Sequence, residues 1–202
     1  MMYRKNEMVI KVNTCITLII TSMILLATPL VHSLDQDPIA IEQWFNNLPN
    51  MTPKLTHLHF YLHDLVSGSN PTVYRVAQSN ITSSSPTAFG FIAMADDKLT
   101  TGPEPNSTVV GRAQGVYGSA CLEEAGLLMT MNLFFTGPDY NGSTLSLLGR
   151  NAVFHSYREM PIVGGSGVFR MARGVATAKT YDFNVTSGDA VVEYDVMVEH
   201  YN

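Results

Sequence analysis

Three side chains stand where their chemistry does not match their neighbours. In "LTHLHFYLHDL" the alternation places Leu58, Phe60, Leu62 and Asp64 on one face and His57, His59, Tyr61 and His63 on the other. A carboxylate on an apolar face is costly to desolvate, so Asp64 either meets a partner or ligand or ends its strand at a solvent-filled mouth. Tyr117 ends a second alternating set, Val109, Gly111, Ala113 and Gly115, whose small residues imply unfilled space beside the phenol. Arg158 opens "REMPIVGGSGVFRMARG", a stretch with the look of an active-site loop. It fails both common patterns: Val168 stands where a nucleophile elbow around Ser166 needs glycine, and no Lys follows the glycines as a phosphate loop requires. His57 and His59, two apart with His63 nearby, have metal-ligand spacing. No acid shares that face locally, so strand histidines facing a neighbour or solvent are the better reading, and no metal is expected. Cys121 has no His or Lys close in sequence to activate it and reads as an inert thiol.

These residues must be positioned by strands. Period-two runs fall near 55–65, 72–79, 88–95, 108–119, 126–136, 143–150, 152–157, 167–182 and 189–200, separated by Gly, Pro, Asn or Ser turns. No helix of ordinary length is needed. The chain therefore reads as all-β, with about eight strands closing into an antiparallel barrel that removes exposed edges. Such a barrel is either filled by side chains or holds one small ligand, and the Gly111, Ala113, Gly115 face favours a central cavity. Before Leu55, residues 34–54 carry three prolines and one short helical stripe, Ile41, Trp44, Phe45 and Leu48, consistent with either a docked turn or a mobile leader.

The first 33 residues set the compartment. Arg4, Lys5 and Lys11 precede the apolar run "CITLIITSMILLATPL" and small residues near Ser33, which together read as a secretory signal peptide. Its removal takes three of twelve basic and one of seventeen acidic residues, leaving nine against sixteen, a net charge of about −7. Nucleic-acid binding, which needs clustered basic residues, is disfavoured, and no membrane attachment is expected after cleavage. Cys15 leaves with the signal, so an internal disulfide is ruled out and stability must come from burial, hydrogen bonding and association. Asn50, Asn80, Asn106, Asn141 and Asn184 head N-glycosylation sequons, fitting a secreted, extracellular glycoprotein.

Five ordered blocks, "HLHFYLHD" (57–64), "FGFIAMADDKLTTGP" (89–103), "VGRAQGVY" (110–117), "LFFTGPDYNGSTLSLLGRN" (133–151) and "REMPIVGGSGVFRMARG" (158–174), resemble the plant dirigent proteins across residues 55–202. The resemblance implies an eight-stranded antiparallel barrel of lipocalin-like or allene-oxide-cyclase-like shape, assembled as a homodimer or homotrimer. It implies a secreted, apoplastic protein that steers the coupling of phenoxy radicals, such as those of coniferyl alcohol, toward one enantiomer in lignan and phenylpropanoid biosynthesis. The radicals would come from a separate oxidase, a laccase or peroxidase, and no cofactor is implied. By position, Asp64, Tyr117 and Arg158 match the family's cavity acid, tyrosine and arginine, with Phe60, Leu62, Val109, Ala113 and Asn151 expected to line the same space. Tyr117 would stack on or hydrogen-bond a phenol, Asp64 would exchange its proton, and Arg158 would hold the acid ionised or stabilise negative charge. Lignan-forming members carry Asp at the position of Asn151 and a cysteine pair near the chain ends; this chain has neither. That departure places it near subgroups that couple other phenols or dehydrate isoflavanols to pterocarpans, a lyase reading kept beside the first. A passive carrier of hydrophobic metabolites is the third.

Overall fold

The computed structural model describes residues 37–201; the signal peptide assigned to residues 1–33 lies outside the described residues. Asp37 accepts the Ile39 N–H at 3.3 Å and Pro38 follows it, a start signal that opens helix α1, Pro38–Asn47. A 3-10 turn, Leu48–Asn50, ends it. The helix buries none of its residues and meets the rest of the domain where the Arg170 guanidinium sits 5.5 Å from the Trp44 ring centroid. The segment read as a leader thus contains a ten-residue helix.

Nine strands follow: β1 Lys54–Asp64, β2 Val73–Ala77, β3 Ile92–Thr100, β4 Val109–Ser119, β5 Gly126–Phe135, β6 Thr144–Ala152, β7 Arg158–Ser166, β8 Arg173–Phe183 and β9 Ala190–His200. All neighbours are antiparallel, in the order β1-β9-β8-β7-β6-β5-β4-β3. The ring closes through β1 and β3, where Tyr61, Leu62 and His63 pair with Thr100, Leu99 and Lys98. The other half of β3 pairs with short β2, so eight positions make the barrel and β2 completes one of them. Closure leaves every long strand paired on both sides, as the period-two reading requires.

Two departures from the sequence reading have local causes. Of the run 152–157, Ala152 ends β6 and 153–157 form the β6–β7 connection, and β7 occupies 158–166 although Pro161, Gly164 and Gly165 look like a turn. Pro161 tolerates its place because a bulge lies beside it: Ser146 pairs with Gly164 and Leu147 with Ile162, leaving Val163 without a partner on β6. Gly165 is there for space, since a Cβ would sit 2.5 Å from the Phe169 carbonyl oxygen and 2.7 Å from that of Thr144. The chain can then fold into the 3-10 turn Gly167–Phe169 ahead of β8. The stretch that looks like an active-site loop is therefore a barrel strand with a tight turn behind it.

The two barrel ends differ. At one, the fully buried Phe169 ring meets Phe135 at 5.6 Å, Tyr140 at 4.9 Å and His200 at 5.1 Å, an aromatic plug. At the other converge the last residues of β1, β4, β6 and β8 and the first of β7 and β9. The unusual polar side chains gather there.

Candidate functional site

Asp64 ends β1 on the inner face, following Phe60 and Leu62, both buried. The Tyr117 hydroxyl, reaching in from β4, donates to Asp64 at 3.2 Å to Oδ2 and 3.4 Å to Oδ1. Burial pushes the Asp64 carboxyl up to about 6, against the lowering effect of the Tyr117 bond. Burial, with the nearby Asp64 charge, raises the Tyr117 phenol far above its ordinary value, so it stays a neutral donor. An acid that is half-ionised near pH 6 and a neutral phenol bonded to it form a pair able to pass a proton to an oxygen placed against them.

Arg158, the first residue of β7, is 4 % exposed. Its Nε donates to Asn151 Oδ1 at 3.0 Å, and the adjacent terminal nitrogen donates to Thr180 Oγ1 at 3.0 Å and to the His155 carbonyl at 3.3 Å. Burial lowers its pKa, but a guanidinium remains charged in proteins. No hydrogen bond or ion pair joins Arg158 to Asp64 among the described residues. The expectation that Arg158 holds Asp64 ionised therefore does not describe this site: the acid is held by a phenol, and the arginine by an amide, a hydroxyl and a carbonyl. Tyr194 of β9 lies between them, its phenol raised to about 12 by burial, lowered by Arg158 and raised by Asp64 and Asp97. Its ring stacks on Phe60 at 5.7 Å, so it is fixed. A cavity of about 470 Å³ opens beside the arginine, between the 153–157 connection and β8, lined by Phe154, Tyr157, Thr180 and Phe183 among others.

Of the expected lining residues, Phe60, Leu62, Ala113 and Asn151 are buried. Val109 is not among them: it is 45 % exposed, because Leu99 pairs with Gly111 and Thr100 with Val109, a bulge that gives the inner position to Val110. The glycines of β4 also have another reason than empty space. A Cβ on Gly111 would lie 2.3 Å from the Phe134 carbonyl oxygen, and one on Gly115 2.1 Å from that of Thr130, so β5 crosses too close for any side chain. His57 and His59 meet acids from β9, with His57 Nε2 3.0 Å from Asp195 and His59 Nε2 3.0 Å from Glu193. Arg112 pairs with Asp96 on the outer face. Cys121 is only partly buried, and its thiol is lowered by the backbone N–H groups of Glu124 and Glu123 and by Arg150, partners that sequence proximity did not suggest. The five sequon asparagines are all exposed.

Two inner polar residues escaped the sequence reading. Asp97 of β3 is 1 % exposed, and Thr72, which precedes β2, donates to its Oδ1 at 2.5 Å while accepting the Leu65 N–H at 3.2 Å. Burial, then the neighbouring Asp64 charge, pushes Asp97 up to about 8. The signal was available: in "IAMADDKL", Ala93, Ala95, Asp97 and Leu99 share a face, which makes Asp97 a second acid on an apolar stripe. Tyr194 carried the same signal among Val192, Val196 and Val198.

The structure is a closed antiparallel barrel, plugged by aromatics at one end and carrying acid, phenol and guanidinium groups at the other. Residues 55–199 match the family model described as "Dirigent-like protein", and the chain belongs to that family. It is 58 % identical over 147 residues to Dirigent protein 21 of Arabidopsis thaliana, covering 73 % of this chain and 78 % of that one. To Pterocarpan synthase 1 of Glycine max it is 50 % identical over 149 residues, covering 73 % and 80 %. The solved structure of the pterocarpan synthase dirigent protein GePTS1 superposes with a TM-score of 0.72 at 50 % identity, covering 75 % of this chain and 93 % of that one.

Proposed function

We propose that the protein binds phenolic radicals or the quinone methides formed from them and fixes the face on which the new bond forms, leaving oxidation to a separate laccase or peroxidase. The observation that supports this most is the placement of the Asp64–Tyr117 pair and the Arg158–Asn151 pair at one end of a single barrel, with the Tyr194 phenol between them. A phenol seated against these groups presents one face. The arginine stabilises negative charge on its oxygen while Asp64 and Tyr117 exchange its proton. The bias needed is small, since about 1.4 kcal/mol between competing transition states gives a tenfold preference.

A second reading, dehydration of an isoflavanol-type alcohol, is favoured by the buried Asp64–Tyr117 contact: burial pushes the Asp64 carboxyl up to about 6, a value suited to acid and base work near neutral pH. The likeness to pterocarpan synthases points the same way. Incubation with a panel of phenols and isoflavanols, with and without a one-electron oxidant, separates the two. A stereo-directing protein gives product only with oxidant and enriches one enantiomer, whereas a lyase converts the closed-shell alcohol without oxidant at a rate proportional to protein. Racemic coupling across the panel, with no oxidant-free turnover, would leave only the carrier reading.

The proposal includes secretion with cleavage after Ser33, sugars on some of the exposed sequons, and assembly into a homodimer or homotrimer in the apoplast. No helix of the described residues is long and apolar enough to cross a membrane. On the outer wall Met94 pairs beside Val116, Val116 beside Thr130 and Thr130 beside Leu148, a row with half-exposed Met94 and Leu148 that suits a subunit contact.

A further inference from the structure

Asp97 is a buried acid for which directing radicals provides no use. It lies on the inner face of β3, paired with the buried Ala113 of β4. The pairing of β1 with β3 runs Leu62 to Leu99 and His63 to Lys98, and Asp64 and Asp97 are the next residues on the two strands. Two carboxyls so placed inside a barrel cannot both be ionised cheaply. The Thr72 hydroxyl serves Oδ1 of Asp97, and no hydrogen bond reaches its other oxygen among the described residues. The protonated form is the one this setting favours.

We propose that Asp64 and Asp97 form a carboxyl pair that carries one proton while the site works, with Asp64 facing the substrate and Asp97 holding the proton behind it. The inference rests on the reading of the site as one that moves protons to and from phenolic molecules. For a phenolic benzylic alcohol, the pair gives a proton to the leaving hydroxyl, the carbon–oxygen bond breaks with both electrons on oxygen, and water departs. The pair then takes the phenolic proton, whose bonding electrons form the carbonyl of the quinone methide. The pair ends with the proton count it began with. Bond formation follows when a second phenol oxygen attacks the methide carbon and passes its own proton to the methide oxygen through the same pair. Asp97 acts through Asp64 and is a positioning residue.

The electrostatic surroundings fit this division. Asp97 feels Asp64 of β1, Asp96 of its own strand, Arg112 and Tyr117 of β4, and Tyr194 of β9, together with the Thr72 bond. Of these, burial and Asp64 raise it most, so Asp64 ionises first and its charge keeps the proton on Asp97.

Carboxyl-carbon NMR titration of the intact domain tests the pair without any substrate, so its outcome is independent of whether phenols are turned over. Wild type should show two displaced steps, near pH 6 for Asp64 and near pH 8 for Asp97. Asp97→Asn should leave one step near 6, and Asp64→Asn should move the Asp97 step downward by removing the charge beside it. Thr72→Val keeps the shape, removes the hydroxyl and should raise the Asp97 step; it serves as the second variant if Asp97→Asn does not fold. An Asp97 carbon that titrates near the ordinary value of about 4, or one that ignores both Asp64→Asn and Thr72→Val, overturns the pair. In turnover of a phenolic alcohol, Asp97→Asn should remove the alkaline limb of the pH profile and slow the reaction about 10²-fold, within the usual range for acid–base groups. An unchanged profile in a folded variant would also overturn it.

Discussion

Asp64 can be replaced with little change of shape. Asp64→Asn keeps an oxygen to accept the Tyr117 hydroxyl at the position now 3.2 Å away but cannot exchange a proton. We expect normal thermal stability with enantiomer preference or turnover reduced at least tenfold, read by chiral chromatography; unchanged product ratios would mean that Asp64 is merely the polar end of its strand. Asn151→Ala tests the other pole. It strips the Nε partner from a buried guanidinium, so melting should report a loss of about 1–3 kcal/mol, the usual cost of leaving a buried polar group unpaired. Arg158 was reached only through the family resemblance, whereas Asp64 and Tyr117 were legible because an acid and a phenol on alternating inner faces violate the pattern around them. Asp97 violated it equally, yet the doublet Asp96-Asp97 hides which of the two faces inward until the strand register is known.

The all-β class and the approximate number of strands were readable from alternation, whereas phase was not. A bulge changes which residues face inward without changing composition, and two of them, at Val110 and Val163, account for the misplacement of Val109 and contribute to the shift of β7. Close crossing of strands was equally invisible, because glycine required by a neighbour's backbone and glycine left for a ligand look alike in sequence. Gly115→Ala decides between them. With Thr130 O 2.1 Å from the new Cβ, β5 must move, and overpacking of this kind costs about 1–3 kcal/mol. For a domain of this size that is roughly 2–12 °C in the melting midpoint. A variant that melts like wild type would restore the empty-space explanation.

Stability of the molecule should depend on pH through the two inner acids. Asp64 and Asp97 bind protons more tightly folded than unfolded, with values pushed up to about 6 and about 8. Their contribution is complete below the unfolded value near 4 and is lost as pH rises to about 8. Asp189, Glu124 and Glu193, lowered by hydrogen bonds, act in the opposite sense and only in more acid solution, below their unfolded values. His63 and His200, lowered by burial, also act in the opposite sense up to their unfolded value near 6.5, so melting midpoints should fall between about pH 7 and pH 8. Asp97→Asn should flatten that slope; a midpoint that rises over the same interval would contradict the assignment. The proposed assembly through the outer wall is tested by Leu148→Lys, which places charge in the row of Met94, Val116 and Leu148 and should shift the mass measured by light scattering to that of one chain.

The central claim is that the polar end of the barrel fixes the face of a phenolic intermediate, and enantiomeric excess at constant oxidant tests it most directly. Coniferyl alcohol and related phenols would be oxidised at a fixed rate while protein is increased from zero to excess. The account predicts that total coupled product stays constant, that one enantiomer rises to a plateau of about tenfold excess, corresponding to about 1.4 kcal/mol, and that Asp64→Asn reaches a much lower plateau. Racemic product at every protein concentration and for every phenol, from folded wild-type protein, would contradict it.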